Sequence, residues 1–301
     1  MKHKKKKLIV LLIVIVILLI SFVIYLSHLN FEVLNPKGTI AVQEKHLIMI
    51  AILLSLIVVL PVFIMLTTFA YRYRSTNKNS KYSPNWDKNG ILETMWWVIP
   101  AILISILGYI TWTSSHTLDP FKPLKNNSNT LNIEVISLDW KWLFIYPNQK
   151  IATLNYFQIP VNTNVTFNIT SDAPMNSFWI PQLAGQIYSM PGMNTELHLS
   201  SFQTGTYRGL SANLSGVGFS SMSFNVGVVN SGQFSKWISQ VSASTDHLSY
   251  SQFLSLAKPS TITLTKNYSN VDTSIYGKLI NSYMSPVEQS KNINTKNSMV
   301  M

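Results

Sequence analysis

The sequence contains no cysteine and few charged residues. Without thiols the chain can form no disulfide, no thiolate zinc or copper site, no iron–sulfur cluster and no cysteine-linked lipid anchor. Charged side chains make up 12% of the 301 residues, about half of the fraction usual in soluble proteins, whereas 47% of the residues are hydrophobic. This composition excludes a disordered chain, and the length suits two domains.

Acidic residues are scarcer than basic ones, with 12 aspartates and glutamates against 23 lysines and arginines. The excess of basic residues is concentrated in two segments. Residues 1–7 carry five lysines and no acid, and residues 71–90 carry five basic side chains against Asp87 alone. Both segments border long apolar runs, where basic residues set membrane topology. No basic stripe with interleaved aromatics occurs elsewhere, so the net charge of +11 does not indicate nucleic-acid binding.

Three uncharged apolar runs lie at residues 8–26, 47–70 and 95–112. As helices they would measure about 27–36 Å, enough to cross a hydrocarbon core of about 30 Å. Aromatic side chains near their ends, such as Trp96 and Trp112, suit the membrane–water interface. The sequence therefore predicts a membrane protein.

The first run allows two interpretations. Its lysine-rich start is typical of a signal peptide, but 19 apolar residues exceed the usual h-region of about 7–15, and residues 26–30 offer no A-x-A-like cleavage site. We favour a retained anchor over a cleaved signal peptide. Because basic segments belong in the cytoplasm, we expect residues 28–46 outside and everything after residue 113 exported. This topology predicts a multi-pass membrane protein with an external C-terminal domain.

From residue 131 the hydrophobic period changes to two, as in the alternation of apolar and polar side chains at residues 165–170. This pattern predicts a half-buried antiparallel sandwich or barrel. Residues 232–257 instead space Trp237 and Val241 as on an amphipathic helix. The predicted segments are a signal-like or retained anchor at 1–27, an external loop at 28–46, a transmembrane helix at 47–70, a basic cytoplasmic loop at 71–91, a transmembrane helix at 92–113, a β domain at 128–229, a helical extension at 230–290 and a flexible tail at 291–301.

Soluble-enzyme motifs are absent from the sequence, which has no GxSxG, HExxH, Walker A or Rossmann glycine fingerprint. The six histidines have no metal-ligand spacing, and His198 is most simply a surface or rim residue.

Residues 176–181 (NSFWIP) and 207–222 (YRGLSANLSGVGFSSM) resemble the copper-binding segments of subunit II of the haem–copper respiratory oxidases. That family has two N-terminal helices and an exported cupredoxin domain, so the resemblance implies a membrane-anchored α+β protein with a cupredoxin-like sandwich. Its cytochrome c oxidases bind two copper ions there, through a His before Ser-Phe-x-x-Pro and a C-x-E-x-C-x3-H-x2-M frame. Further similar segments are 34–40 (LNPKGTI), 81–86 (KYSPNW), 138–147 (LDWKWLFIYP), 175–182 (MNSFWIPQ) and 186–190 (QIYSM).

The copper frame is recognisable here, but of the family's ligand residues only Met222 remains. In the order of the family's ligands, the positions carry Asn176, Ser211, Asn213, Ser215, Phe219 and Met222. Hydroxyl, amide and phenyl groups cannot replace the thiolates and imidazoles that bind soft copper ions. The resemblance therefore implies that this chain holds no metal and no redox cofactor, and Met222 is predicted to be strand core.

Loss of the copper centre indicates the quinol-oxidising members of the family. The copper centre receives electrons from a soluble cytochrome, whereas an oxidase that is fed by membrane quinol does not need it. The resemblance is closest to subunit II of cytochrome bo-type ubiquinol oxidases, although many bacterial relatives carry a lipid-modified cysteine that is missing here. It implies oxidase subunit I and other subunits as partners, haems and copper in subunit I, quinol as the substrate of the complex, a surrounding lipid bilayer, and no cytochrome c.

Glu93 is the candidate catalytic residue, at the predicted cytoplasmic start of the last transmembrane helix. An acid at this position is favoured by the helix dipole, by up to about 1 kcal/mol. In the family, a subunit II glutamate in this motif stands at the entrance of a proton-uptake channel in subunit I, which implies the same role for Glu93. In copper-bearing relatives, Trp140, Trp142 and Tyr146 line the face that receives electrons. Here we predict sandwich core or a docking surface for them.

The sequence therefore predicts subunit 2 of a proton-pumping quinol oxidase, which supports assembly and proton uptake. The alternative is a membrane-anchored, cupredoxin-like binding or structural module outside an oxidase.

Overall fold

The computed structural model describes residues 21, 31–78, 86, 88–124, 130–261 and 264–284. The predicted anchor at 1–27, apart from residue 21, and the predicted tail at 291–301 lie outside the described residues.

Two long helices, α1 (Thr39–Arg72) and α2 (Gly90–Thr117), precede the β domain, with a short 3-10 helix at Glu32–Leu34 before them. They contain the apolar runs 47–70 and 95–112, and both are long and apolar enough to cross a membrane. No residue in the most apolar 18-residue window of either helix is buried. A helix that is apolar all round needs an apolar environment, so these surfaces belong against lipid or partner helices.

The start of α1 is joined to the β domain by backbone hydrogen bonds. Gly38 N–H donates to Gln182 O at 3.0 Å, and Thr39 N–H donates to Ser200 O at 3.1 Å. A Cβ atom on Gly38 would lie 2.0 Å from the carbonyl oxygen of Leu183, so only glycine fits at this junction.

Among the described residues, twelve strands form two sheets. The sheets have the strand orders β11-β12-β3-β2-β1-β5-β8 and β4-β10-β9-β6-β7. The strands are β1 (Thr130–Leu138), β2 (Lys141–Tyr146), β3 (Ile151–Leu154), β4 (Tyr156–Pro160), β5 (Asn164–Ser171), β6 (Asn176–Ile180), β7 (Ala184–Ser189), β8 (Thr195–Leu199), β9 (Gly205–Ser211), β10 (Ser223–Val229), β11 (His247–Leu248) and β12 (Lys266–Val271).

The sandwich is confirmed, but its sheets are mixed and not purely antiparallel as predicted. The pairs β1–β5, β4–β10 and β11–β12 are parallel, whereas the other pairs are antiparallel. Alternating hydrophobicity reports which face of a strand is covered and carries no information on the direction of its neighbour. The sequence pattern therefore could not distinguish the two arrangements.

An aromatic core fills the space between the sheets. Phe178 of β6 stacks on Phe224 of β10, with ring centroids 5.1 Å apart and planes at 4°. Trp142 of β2 contacts both rings edge-on, at 5.4 and 5.7 Å. These three side chains are at most 2% exposed, so the two sheets are held together by close aromatic packing.

The C-terminal extension packs against both cores of the β domain. It contains the helices α3 (Ser231–Ser242), α4 (Tyr250–Ala257) and α5 (Ile275–Tyr283), and it also contributes β11 and β12, which the prediction of a helical extension did not include. Trp237 and Val241 of α3 are buried, as their spacing predicted. Apolar side chains of α4 and α5, such as Phe253 and Leu279, form a second core against β1, β2 and β3.

Candidate functional site

The six positions of the copper frame come together at one end of the sandwich. Asn176 begins β6 and Ser211 ends β9, and these two strands are neighbours in the smaller sheet. The remaining four positions lie between β9 and the start of β10, in a loop that contains a short 3-10 helix at Phe219–Ser221. The structure thus gathers the residues that the resemblance singled out.

A hydrogen-bonded network replaces the first ligands of the frame. The Ser211 hydroxyl donates to Asn176 Oδ1 at 2.7 Å, and Asn176 Nδ2 donates to Ser137 Oγ at 2.9 Å and to Pro174 O at 3.1 Å. Asn176 and Ser137 are fully buried, and Ser211 is 3% exposed. Each side-chain polar atom of Asn176 therefore has a protein partner, as a buried amide requires.

The other positions of the copper frame are engaged in contacts within the protein. Asn213 Nδ2 donates to Met175 O at 2.8 Å, and the Ser215 hydroxyl lies 4.0 Å from the Met222 sulfur. Met222 is 2% exposed and belongs to the core between the sheets, but it ends the 3-10 helix one residue before β10, so the predicted core position is confirmed and the predicted strand position is wrong. Phe219 is a half-buried residue of the 3-10 helix, and its ring offers no metal ligand.

Trp140 packs over this loop. Its indole N–H donates to Ser215 O at 3.1 Å. Gly216 adopts φ +109°, and a Cβ atom on Gly218 would lie 2.3 Å from the indole ring. The two glycines therefore allow the loop to turn directly beneath the ring.

The other two aromatic residues singled out by the sequence belong to the core. Trp142 and Tyr146 are fully buried, so neither forms a surface for a partner. Tyr146 donates its hydroxyl to Gln158 O at 2.6 Å, and its ring packs edge-on against Trp237 of α3 at 5.5 Å. The prediction of sandwich core is confirmed for both residues.

The donor set does not fit a pair of copper ions. It offers one thioether among amides and hydroxyls, with no thiolate and no imidazole, and its polar atoms are already engaged in hydrogen bonds. In the part of the chain that the structure describes, no group of three or more His, Cys, Asp or Glu residues could hold a metal ion.

Sequence reasoning missed Ser137, which completes the network from 39 residues away. Ser137 lies opposite Ser171 in the parallel pair β1–β5, and the Ser171 hydroxyl reaches it at 3.3 Å. A signal for this position would have required the parallel register of β1 and β5, which the alternating pattern does not contain.

Glu93 lies far from the copper frame, in the first turn of α2. Asn89 caps this helix by accepting hydrogen bonds from the N–H groups of Ile91 and Leu92, both at 3.1 Å. The Glu93 side chain is exposed, and among the described residues it has neither a hydrogen-bond nor an ion-pair partner. At 1.5 Å per residue, Glu93 is about 36 Å from Thr117 at the far end of α2. The structure thus places Glu93 at the end of α2 that is farther along the chain from the β domain.

Comparison with known proteins first defines the class. The family model "Cytochrome C oxidase subunit II, periplasmic domain" matches residues 148–229. Fold and site together therefore define a membrane protein with an external, cupredoxin-like oxidase subunit II domain whose copper frame lacks the thiolate and imidazole ligands.

Relatives over most of the chain give the family. The chain is 44% identical over 261 residues to cytochrome bo(3) ubiquinol oxidase subunit 2 of Pseudomonas putida, which covers 87% of this chain and 83% of the relative. It is 41% identical over 266 residues to ubiquinol oxidase subunit 2 of Acetobacter aceti, covering 88% and 86% respectively. The crystal structure of the periplasmic domain of subunit II of cytochrome oxidase of Bradyrhizobium japonicum matches 36% of this chain and 91% of that chain, with 21% identity and a TM-score of 0.36. The chain belongs to the ubiquinol oxidase subunit 2 family.

Proposed function

We propose that this chain serves as subunit 2 of a proton-pumping quinol oxidase of the aerobic respiratory chain, in the bacterial cell membrane. The complex would oxidise quinol, reduce oxygen to water and move protons outward. The names of the relatives support this function, and they do not favour a cupredoxin-like module outside an oxidase.

The observation that carries the proposal is the hydrogen bond from Ser211 to Asn176 at the centre of the former copper frame. Both side chains are buried and hydrogen-bonded to each other, so neither is available to bind a copper ion that could carry electrons. A subunit with this site cannot take electrons from cytochrome c through copper. Quinol, which is dissolved in the bilayer, can instead deliver electrons directly to the haems and copper that we assign to subunit I.

The helices support a role in assembly. No residue in their most apolar windows is buried in the part of the chain that the structure describes, and van der Waals packing and interhelical hydrogen bonds drive association of such helices in membranes. We therefore assign α1 and α2 to contacts with lipid, subunit I and other oxidase subunits, and the sandwich to the external face of the complex.

Glu93 is our candidate for the proton-channel entrance. Its carboxylate is exposed and unpaired among the described residues, at the end of α2 that we place at the cytoplasmic surface. Ionisable groups at the membrane edge of pumps commonly relay protons, and this one would do so at the boundary with subunit I.

Purification through a tag on this chain tests the proposed function. In mild detergent, we expect a haem-bearing subunit to co-purify and the preparation to consume oxygen with quinol but not with reduced cytochrome c. Recovery of this chain in the membrane without any haem would instead favour the free-standing module.

Orientation is tested separately, with one tag after Ser75 and another at Met301. Protease added to intact spheroplasts should remove the C-terminal tag and spare the loop tag, because the basic loop belongs in the cytoplasm. The reverse result would overturn the position that we assign to Glu93.

A further inference from the structure

A cavity of about 1120 Å³ lies where the two helices meet the β domain. Its walls come from the start of α1, from the segment that follows α2, and from the edge of the sandwich at β5, β7 and β8. Glu44 of α1 and Lys122, five residues beyond the end of α2, both line it. The hydrogen bonds that join Gly38 and Thr39 to the sandwich fix the wall formed by α1.

The depth of this cavity in the membrane follows from the helices. Glu44 lies three residues before the apolar run 47–70, and Lys122 lies beyond the opposite end of α2 from Glu93. Both residues therefore sit at the external ends of the two spans, at the level of the lipid headgroups.

Glu44 and Lys122 bring one acidic and one basic side chain to the cavity. Among the described residues, neither side chain forms a salt bridge within 4.0 Å or a hydrogen bond. Glu44 is half-buried, and its carboxylate lies where a side chain on Gly185 would be, 2.3 Å from the position of that Cβ atom. Gly185 thus leaves room for an acid at the wall of the cavity.

The other ionisable groups of the wall, Asp119 and His198, each have at least one contact to the protein. Asp119 Oδ1 accepts a hydrogen bond from Phe121 N–H at 3.0 Å. His198 Nδ1 lies 2.9 Å from the Thr166 hydroxyl, and its other ring nitrogen lies 3.8 Å from a Glu196 oxygen. Among the described residues, Glu44 and Lys122 are therefore the charged side chains of the wall that have neither a hydrogen bond nor an ion pair.

We propose that this cavity binds the headgroup of a phospholipid that carries both a phosphate and a primary amine, with its ammonium on Glu44 and its phosphate on Lys122. A ligand with charge of only one sign would pair with one of these side chains and bring a like charge close to the other. Phosphatidylethanolamine meets both requirements, whereas the quaternary ammonium of phosphatidylcholine has no N–H to donate to a carboxylate. At this depth such a headgroup is available in the outer leaflet.

The test uses the full chain with its co-purifying subunits in phosphatidylcholine nanodiscs, into which phosphatidylethanolamine or phosphatidylglycerol is titrated. Bound lipid is counted by native mass spectrometry, which requires no turnover and so separates this proposal from the proposed function. We expect one phosphatidylethanolamine that inorganic phosphate does not displace. Glu44→Gln and Lys122→Gln should each weaken its binding about tenfold, since each removes one charged hydrogen bond.

Lys236→Gln, on the exposed face of α3, is the matched control and should leave lipid binding unchanged. Unaltered haem content in all three variants shows that the complex is intact. Equal retention of phosphatidylethanolamine in Glu44→Gln, equal binding of phosphatidylglycerol or phosphatidylcholine, or a cavity without bound lipid would each overturn the proposal.

Discussion

The helices and the sandwich differ in how completely each is stabilised by the chain itself. The sandwich has an aromatic core between its sheets and a second core beneath α4 and α5. The helices satisfy polar groups internally, as Ser55 does by donating to Ala51 O at 2.8 Å, but no residue in the most apolar window of either helix is buried. The sandwich is thus specified by its own sequence, whereas the helices depend on what surrounds them.

This difference determines where a substitution should have its effect. In the sandwich, the lost interactions belong to the chain, so the free energy of unfolding should change. On the helices, a substitution should change assembly or turnover of the complex and leave the sandwich intact.

The largest effect is expected for Phe178→Ala in the aromatic core. Phe178 is fully buried and packs against Trp142, Phe167 and Phe224. Removing its ring leaves a cavity between the sheets, so we expect a loss of about 3–5 kcal/mol in the free energy of unfolding of the external domain. Denaturant unfolding followed by near-ultraviolet circular dichroism measures this loss.

Phe63→Ala on α1 is the matched control, because Phe63 is 61% exposed in the chain alone. The same truncation there should leave the unfolding of the external domain unchanged. A comparable loss from Phe63→Ala would mean that the helices and the sandwich unfold as one unit, and the proposed division would be wrong.

A smaller loss is expected for Asn176→Ala in the former copper frame. This substitution leaves the buried hydroxyls of Ser211 and Ser137 without their amide partner. We expect a cost of about 1–3 kcal/mol in the stability of the external domain. Asn213→Ala, which removes a hydrogen bond near the surface, should cost clearly less. Equal costs would show that burial of the network does not matter.

The sequence predicted those parts of the fold that depend on local patterns. Apolar runs indicated α1 and α2, alternation indicated the sandwich, and the spacing of Trp237 and Val241 indicated α3. It did not predict the parallel pairs or the placement of β12 beside β3, because these depend on contacts between distant segments. The same reason explains why Asn176 was identified and its partner Ser137 was not.

For Glu93 we predict an effect on turnover and none on the sandwich. Glu93→Ala should slow quinol oxidation and oxygen reduction about tenfold, equivalent to about 1.4 kcal/mol in activation free energy, because the relay carboxylate is lost. Glu93→Asp keeps a carboxylate on a shorter stem and should retain more activity. The measurement is oxygen consumption per haem in the purified complex, with subunit stoichiometry as the check on assembly.

A purely structural Glu93 would behave differently. If its carboxylate only complements the dipole of α2, removal costs at most about 1 kcal/mol of helix stability, and turnover should barely change. Normal turnover of Glu93→Ala in an assembled complex would therefore reject the relay.

The smallest effect is expected at Glu134 on β1, where the sandwich contains an unpaired acid. Its Oε2 is buried without a hydrogen bond, and burial raises the pKa of the carboxyl from 4.5 to about 7. Between these two pH values the folded domain therefore binds a proton that the unfolded chain releases. The contribution of this proton to the free energy of unfolding is fully present below pH 4.5 and is lost as the pH rises through 7. Because the group is part-exposed, solvent screening limits the effect to about 1 kcal/mol.

Glu134→Gln should flatten this pH dependence and stabilise the domain at pH 8, as measured by its unfolding midpoint at pH 5 and pH 8. The control is Glu196→Gln, whose side chain is 41% exposed and which should preserve the pH dependence. An unchanged slope in Glu134→Gln would place the titrating group elsewhere.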